Sequence, residues 1–198
     1  DSVFSLCRKA GGRTAAISYS WMSELYSRAP YVSDRDRVQL DAEGSIQYGM
    51  YYWDDNYPDS HVFAEGECLR KTFDPDFMLY HTMAVDEWGH MKGADSAEYA
   101  NAVAAVGHLI AARMPEWLEQ GYQVVVTADH GMNNLGIHVG TERAQREVAL
   151  YIFSDKVENG RFEKNYISQL NVAPLVCRLM GVPVAEGMKQ ELEIAFSK

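Results

Sequence analysis

Three short stretches of the chain hold the residue types that bind divalent metal ions. The first reads His81-Thr-Met-Ala-Val-Asp86-Glu-Trp-Gly-His90. Asp86 and His90 stand four residues apart, so one helical turn puts a carboxylate and an imidazole on the same side. The second reads Val124-Val-Val-Thr-Ala-Asp129-His130-Gly131. Here an apolar run ends in an adjacent carboxylate and imidazole. Desolvating both at a sheet end costs on the order of a few kcal/mol unless they are paired or coordinated. Gly131 lets the backbone turn where the two side chains must converge. The third is His138, in the glycine-flanked loop Gly136-Ile-His-Val-Gly140. Each stretch also has a plainer account: a solvated helix face, an Asp helix cap beside a surface His, and an inert loop His. Together they supply two carboxylates and three imidazoles, enough for one three-ligand site and half of a second. Three ligands with an open position is the catalytic arrangement for zinc, and the same donors suit manganese.

These residues need strand ends and helix starts to hold them. Four apolar runs are expected to be buried strands: Thr14 to Ser18, Phe77 to His81, Tyr122 to Ala128 and Val148 to Phe153. Helical stretches lie between them. Asp95 with Glu98 resembles a capping box. From there Tyr99, Val103, Val106, Ile110, Met114 and Trp117 recur at helical spacing, with Pro115 kinking or restarting the helix. A last helix is expected from about Tyr166 to Met180, stopped by Gly181 and Pro183. This alternation predicts a single α/β domain over 1–198, with a largely parallel sheet, helices on both faces and ligands at the strands' carboxyl ends. Residues 30–58, rich in Asp, Tyr and Gly without a clear period, are read as a surface excursion: either a cap over the site or an ordinary connection.

Composition narrows the class. The chain has 198 residues and a formal net charge of −10, and no basic stripe, which excludes a nucleic-acid backbone as partner. An acidic protein that handles an anionic substrate needs concentrated local positive charge, which metal ions supply. No apolar run approaches the ~18 residues of a membrane span. The cysteines, Cys7, Cys68 and Cys177, are few, odd in number and without a CxxC pair, which suits reduced thiols in a cytoplasmic protein. The chain starts at Asp1 rather than Met, as a trimmed piece would.

VVVTADHGMN, followed by a His-x-Gly loop and REVALYIFS, resembles the core signature of the alkaline-phosphatase superfamily. AVDEWGH is similar to that family's Asp-x-x-x-His element. DSAEYANAV and NVAPLVCRLMGVPVAEGM resemble helices of its type I phosphodiesterase / nucleotide pyrophosphatase branch. The resemblance implies two divalent metals, usually zinc, that clamp a phosphoryl group. Asp86, His90 and His138 would hold one; Asp129 and His130 would hold the other. In the family the second metal also takes an N-terminal Asp and the Thr or Ser nucleophile. Here the chain opens on the helix that follows those residues in relatives, so the nucleophile and a central strand are expected upstream of Asp1. Two bare sheet edges, open to pairing with a neighbouring chain, would follow. Thr82, Thr127 and Thr141 lack the nucleophile's context.

The implied function is metal-dependent phosphoester hydrolysis, with a phosphorylated small molecule or nucleotide as substrate and with this stretch inactive alone. A metal-dependent phosphomutase and a non-catalytic metal-binding or interaction module are the alternatives. His108 and His61 are read as surface residues. His81 is a candidate for orienting a ligand, and Tyr48, Tyr51, Tyr52 and Trp53 either stack on a nucleobase or pack a cap.

Overall fold

The computed structural model describes residues 1–160, 166–192 and 194–197. Helix α1 (Val3–Lys9) starts at Ser2, whose hydroxyl accepts from the Ser5 N–H while Ser5 returns the bond. It leads into β1 (Thr14–Tyr19), then α2 (Trp21–Tyr26), the short α3 (Ser33–Asp36), β2 (Val38–Gln39) and β3 (Tyr48–Tyr52). Helix α4 (Asp59–Phe73), β4 (Phe77–Tyr80) and α5 (Ala84–Lys92) follow. Helices α6 (Ala97–Ala111) and α7 (Met114–Glu119) precede β5 (Val124–Thr127), α8 (Arg143–Arg146), β6 (Leu150–Phe153) and α9 (Val172–Met180).

The central sheet runs β2-β3-β1-β4, with β1 parallel to both β3 and β4. Its period-two pattern separates two cores. Ala16, Tyr51, Phe77 and Leu79 face Phe4 of α1 and Met22 of α2. Ile17, Tyr52, Met78 and Tyr80 face Val62 of α4. The sheet is thus mostly parallel, with helices on both faces, as the alternation of elements implied.

Several expectations are corrected. Residues 30–58 are not a surface excursion throughout. Tyr48–Tyr52 is a sheet strand, and Tyr51 and Tyr52 are fully buried on its opposite faces. Tyr48 stacks on Phe73 at 4.0 Å, so the four aromatic residues form no common platform. The start of the segment is tied down by Asp36, which is buried and accepts from the Arg28 and Arg35 side chains and the Val32 N–H. The cap of α6 is Ser96, not Asp95: its hydroxyl accepts from the Tyr99 N–H. Helix α9 begins at Val172, after a 3-10 turn at Gln169–Asn171, and Pro174 sits in its first turn, where the missing N–H costs nothing. Strands β5 and β6 pair antiparallel as a separate ladder, whose inner face packs Val125, Leu150 and Ile152 on Leu175 and Leu179 of α9. Among the described residues, the outer edges of β4 and β5 have no strand partner.

One carboxylate joins the second core to its helices. Glu67 of α4 accepts from the Tyr80 hydroxyl (2.8 Å), the Trp117 indole N–H (2.8 Å) and the Arg70 guanidinium (2.7 Å). It therefore pins α4, β4 and α7 together.

Candidate metal centre

Helix α5 starts just beyond the end of β4. Its first turn is anchored by Asp59, buried at the start of α4, whose carboxylate faces the N–H groups of Met83 and Ala84 at 3.3 and 3.5 Å. Burial raises the pKa of Asp59, and those N–H groups pull it back. Asp86 and His90 then fall one turn apart on one side, with Asp86 Oδ2 3.4 Å from His90 Nε2.

The end of β5 supplies the second pair. Asp129 accepts from the His130 N–H at 3.0 Å, and His130 Nε2 lies 3.6 Å from Asp129 Oδ2 and 3.8 Å from Asp86 Oδ1. Gly131 is required here for space: a Cβ on it would meet the Ala144 carbonyl oxygen at 2.0 Å. His138 completes the cluster. Its ring stacks on His130 at 3.9 Å and meets His90 edge-on at 4.9 Å. All five residues named from sequence thus meet at one locus. Ligand atoms of Asp86, His90 and His138 lie within 4.8 Å of one another.

Two features suit this locus to a cation. Asp86 Oδ1 is buried and has no hydrogen-bond partner among the described residues, a state that is costly for a carboxylate oxygen unless a cation meets it. The imidazoles are also oriented for ligation. His90 Nδ1 lies 2.8 Å from the Gly136 carbonyl and His130 Nδ1 lies 3.0 Å from the Gly131 carbonyl. A carbonyl only accepts, so each Nδ1 is a donor, which leaves Nε2 as the ring's ligand atom, 3.4 Å from Asp86 Oδ2 in His90 and 3.8 Å from Asp86 Oδ1 in His130.

The loop that carries His138 is held by two residues the sequence reading did not single out. Asn133 is buried, and its side-chain oxygen accepts from the N–H groups of Leu135 and Ile137 (3.0 and 2.9 Å). The buried Gln145 amide donates to the carbonyls of Ile137 and Val139, on either side of His138, at 3.3 Å each. Gly136, at φ 73°, brings the loop backbone against His90; a Cβ there would lie 2.6 Å from the His90 carbonyl oxygen. Apart from the glycines and the buried Asn, no local pattern marks such grips. Removing one grip loosens the ligand without removing it. Gln145→Ala is expected to weaken zinc binding about tenfold, as is usual for partners that orient metal ligands, in competition with a chromophoric chelator.

The residues set aside from sequence are also placed. His61 and His108 are exposed. Thr127 is exposed rather than buried, because the outer edge of β5 is bare. Among the described residues, no serine or threonine hydroxyl hydrogen-bonds a member of the cluster. His81 closes β4, with Trp21 edge-on to its ring at 5.2 Å.

The model of the type I phosphodiesterase / nucleotide pyrophosphatase family matches residues 4–166. The chain belongs to that family. GPI ethanolamine phosphate transferase 3, catalytic subunit, of Mus musculus is 27% identical over 157 residues, which is 75% of this chain and 14% of that protein. The Homo sapiens protein of the same name is 29% identical over 115 residues, covering 57% of this chain and 10% of its own length. GPI ethanolamine phosphate transferase 2 of Schizosaccharomyces pombe is 24% identical over 132 residues, 57% of this chain and 17% of its own. The chain therefore spans between a tenth and about a sixth of these relatives. No solved structure is a significant match. Among the described residues no helix is long and apolar enough to cross a membrane.

Proposed function

We propose that this chain is the metal-holding part of an enzyme that transfers a phosphoester group, to water as a hydrolase or to an alcohol as a transferase. Asp86, His90 and His138 hold one divalent cation, and Asp129 and His130 contribute to a second. The observation that carries this reading is Asp86 Oδ1, buried and without a hydrogen-bond partner among the described residues, beside imidazoles whose Nδ1 atoms are held by backbone carbonyls. Divalent cations at such a site stabilise charge on phosphoryl oxygens, which a chain of net charge −10 cannot do with its own surface. Zinc fits the donors best, and manganese fits them also.

The chain's own residues set the geometry. The Gly136 and Gly131 carbonyls fix the His90 and His130 rings, Gln145 fixes His138, and Asp59 fixes the turn that carries Asp86. Membership in a family named for hydrolysis favours water as acceptor. The relatives are named for transfer of ethanolamine phosphate, which favours an acceptor other than water. Among the described residues no serine or threonine hydroxyl hydrogen-bonds the cluster, which supports a nucleophile supplied from elsewhere.

The test has two parts. Mass spectrometry of the purified chain should find zinc or manganese at about one ion per chain. Hydrolysis of a chromogenic phosphodiester by the zinc-supplemented chain should then be no faster than its His130→Ala variant. Robust turnover lost in that variant would place the nucleophile within the chain. Failure to retain any cation would overturn the reading as a whole.

A further inference from the structure

His81 has a fixed tautomer, and that tautomer defines what it can bind. The Tyr52 hydroxyl lies 2.8 Å from the His81 carbonyl oxygen and 2.9 Å from His81 Nδ1. It has one proton to give. If the proton goes to the carbonyl, the hydroxyl oxygen is left to accept from Nδ1–H, and two hydrogen bonds form with two protons. If it goes to Nδ1, only one forms and the carbonyl loses its donor. The first arrangement satisfies more polar groups in a buried place. Tyr52 cannot escape either role as an anion, because it is fully buried and burial pushes its pKa well up.

Nδ1 of His81 therefore carries the proton, and Nε2 presents a bare lone pair. Nε2 has no hydrogen-bond partner among the described residues. The backbone holds the ring in place: the His81 N–H donates to Ile17 of β1 at 2.9 Å. Trp21 meets the ring edge-on at 5.2 Å. His81 stands where β4 ends, three residues before α5, the helix that carries Asp86 and His90, and the charges of Asp86 and Asp129 raise its pKa while His130 lowers it. Burial lowers its pKa against the pull of the two carboxylates, which favours the neutral form.

A bare Nε2 repels phosphate oxygens, which offer only lone pairs. It attracts a hydrogen-bond donor. The cluster is the place for the phosphoryl group, so the donor must sit on what the phosphoryl group is joined to. We propose that His81 Nε2 accepts a hydrogen bond from a hydroxyl or ammonium group on the alcohol portion of a phosphoester bound at the cluster. His81 is then a specificity residue: it favours esters of polyols and amino alcohols over esters of plain alkyl alcohols. This rests on the phosphoester reading above.

The experiment is nitrogen NMR of the zinc-loaded, 15N-labelled chain, which distinguishes protonated from bare ring nitrogens. In the free chain His81 should show a protonated Nδ1 and a bare Nε2, and Tyr52→Phe should release that preference. Aminoethyl phosphate, glycerol phosphate and ethyl phosphate are then added in turn. All three should move the ring signals of His90, His130 and His138. Only the esters that carry a donor should move His81 Nε2 toward the hydrogen-bonded position, and which of the two moves it further identifies ammonium or hydroxyl as the group recognised. A bare Nδ1 in the free chain would overturn the proposal. So would cluster signals that respond to all three esters while His81 Nε2 responds to none or equally to ethyl phosphate; the phosphoester reading would survive that result. Cluster signals that respond to no ester would overturn both.

Discussion

Zinc added to the wild-type chain should raise its melting temperature by about 5–10 °C at a hundred times the dissociation constant, and His138→Ala should abolish the rise. A ligand at that excess adds about 2.7 kcal/mol to the folded state, and 1 kcal/mol shifts the midpoint of a domain this size by about 2–4 °C. His138 makes the cleaner probe than Asp86. It is half-buried in a loop and its ring makes no hydrogen bond among the described residues, so its loss should cost the metal-free chain less than about 1 kcal/mol. Asp86→Ala, by contrast, also removes a half-buried carboxylate whose Oδ1 is shut off from solvent and costs the metal-free state. It should lose the zinc response while leaving the metal-free chain as stable or more so. Calorimetry of the three proteins with and without zinc separates these outcomes. A full zinc response in His138→Ala would remove this residue from the site.

Replacement of Glu67 should be the most destabilising single change away from the cluster. Its carboxylate takes bonds from Arg70, Trp117 and Tyr80, and Arg70 is only 4% exposed. Glu67→Leu leaves a buried guanidinium with only Glu116 as its carboxylate, and an indole N–H and a phenol with no acceptor. The expected cost is about 3–5 kcal/mol, or roughly 10 °C in melting temperature. The same group sets an acid limit. Burial of Glu67 disfavours its charge, but the bonds from Arg70, Trp117 and Tyr80 outweigh that and hold its pKa at about 2. A folded pKa below the unfolded one stabilises the protein at pH values above the unfolded pKa, near 4.3. That contribution should fade as pH falls from there toward 2, by on the order of 2 kcal/mol. Urea midpoints measured between pH 7 and pH 2.5 should therefore drop more steeply for the wild type than for Glu67→Gln.

How much of this was readable in the chain depended on where the signal lay. Asp86, His90, Asp129, His130 and His138 stood out because polar, metal-binding side chains interrupt apolar runs at strand ends. Their grouping was legible from the family resemblance, whereas the sheet that was expected to gather them is split here, with β4 and β5 in separate ladders. Strand β3 was hidden. Tyr-Gly-Met-Tyr-Tyr is buried on both faces, so it lacks alternation, and it lies among Asp and Gly residues that read as loop. The direction of β6 was hidden too, because a four-residue strand carries no mark of its partner's orientation. Asn133 and Gln145 act by gripping backbone, and Tyr52 acts on the tautomer of His81. Such bonds depend on residues far apart in the chain, and a local pattern cannot announce them.

The cluster draws its members from two strand systems with no ladder between them. Asp86 and His90 ride on α5, which follows the four-stranded sheet, whereas Asp129, His130 and His138 belong to the β5–β6 ladder that packs on α9. A cation bound among them is a cross-link between two cores. Its removal should let the ladder open as a unit of its own, with amide exchange in β5 and β6 quickening while β1 and β3 stay protected. In that respect the proposed ion would be as much a rivet for the architecture as a reagent for the chemistry.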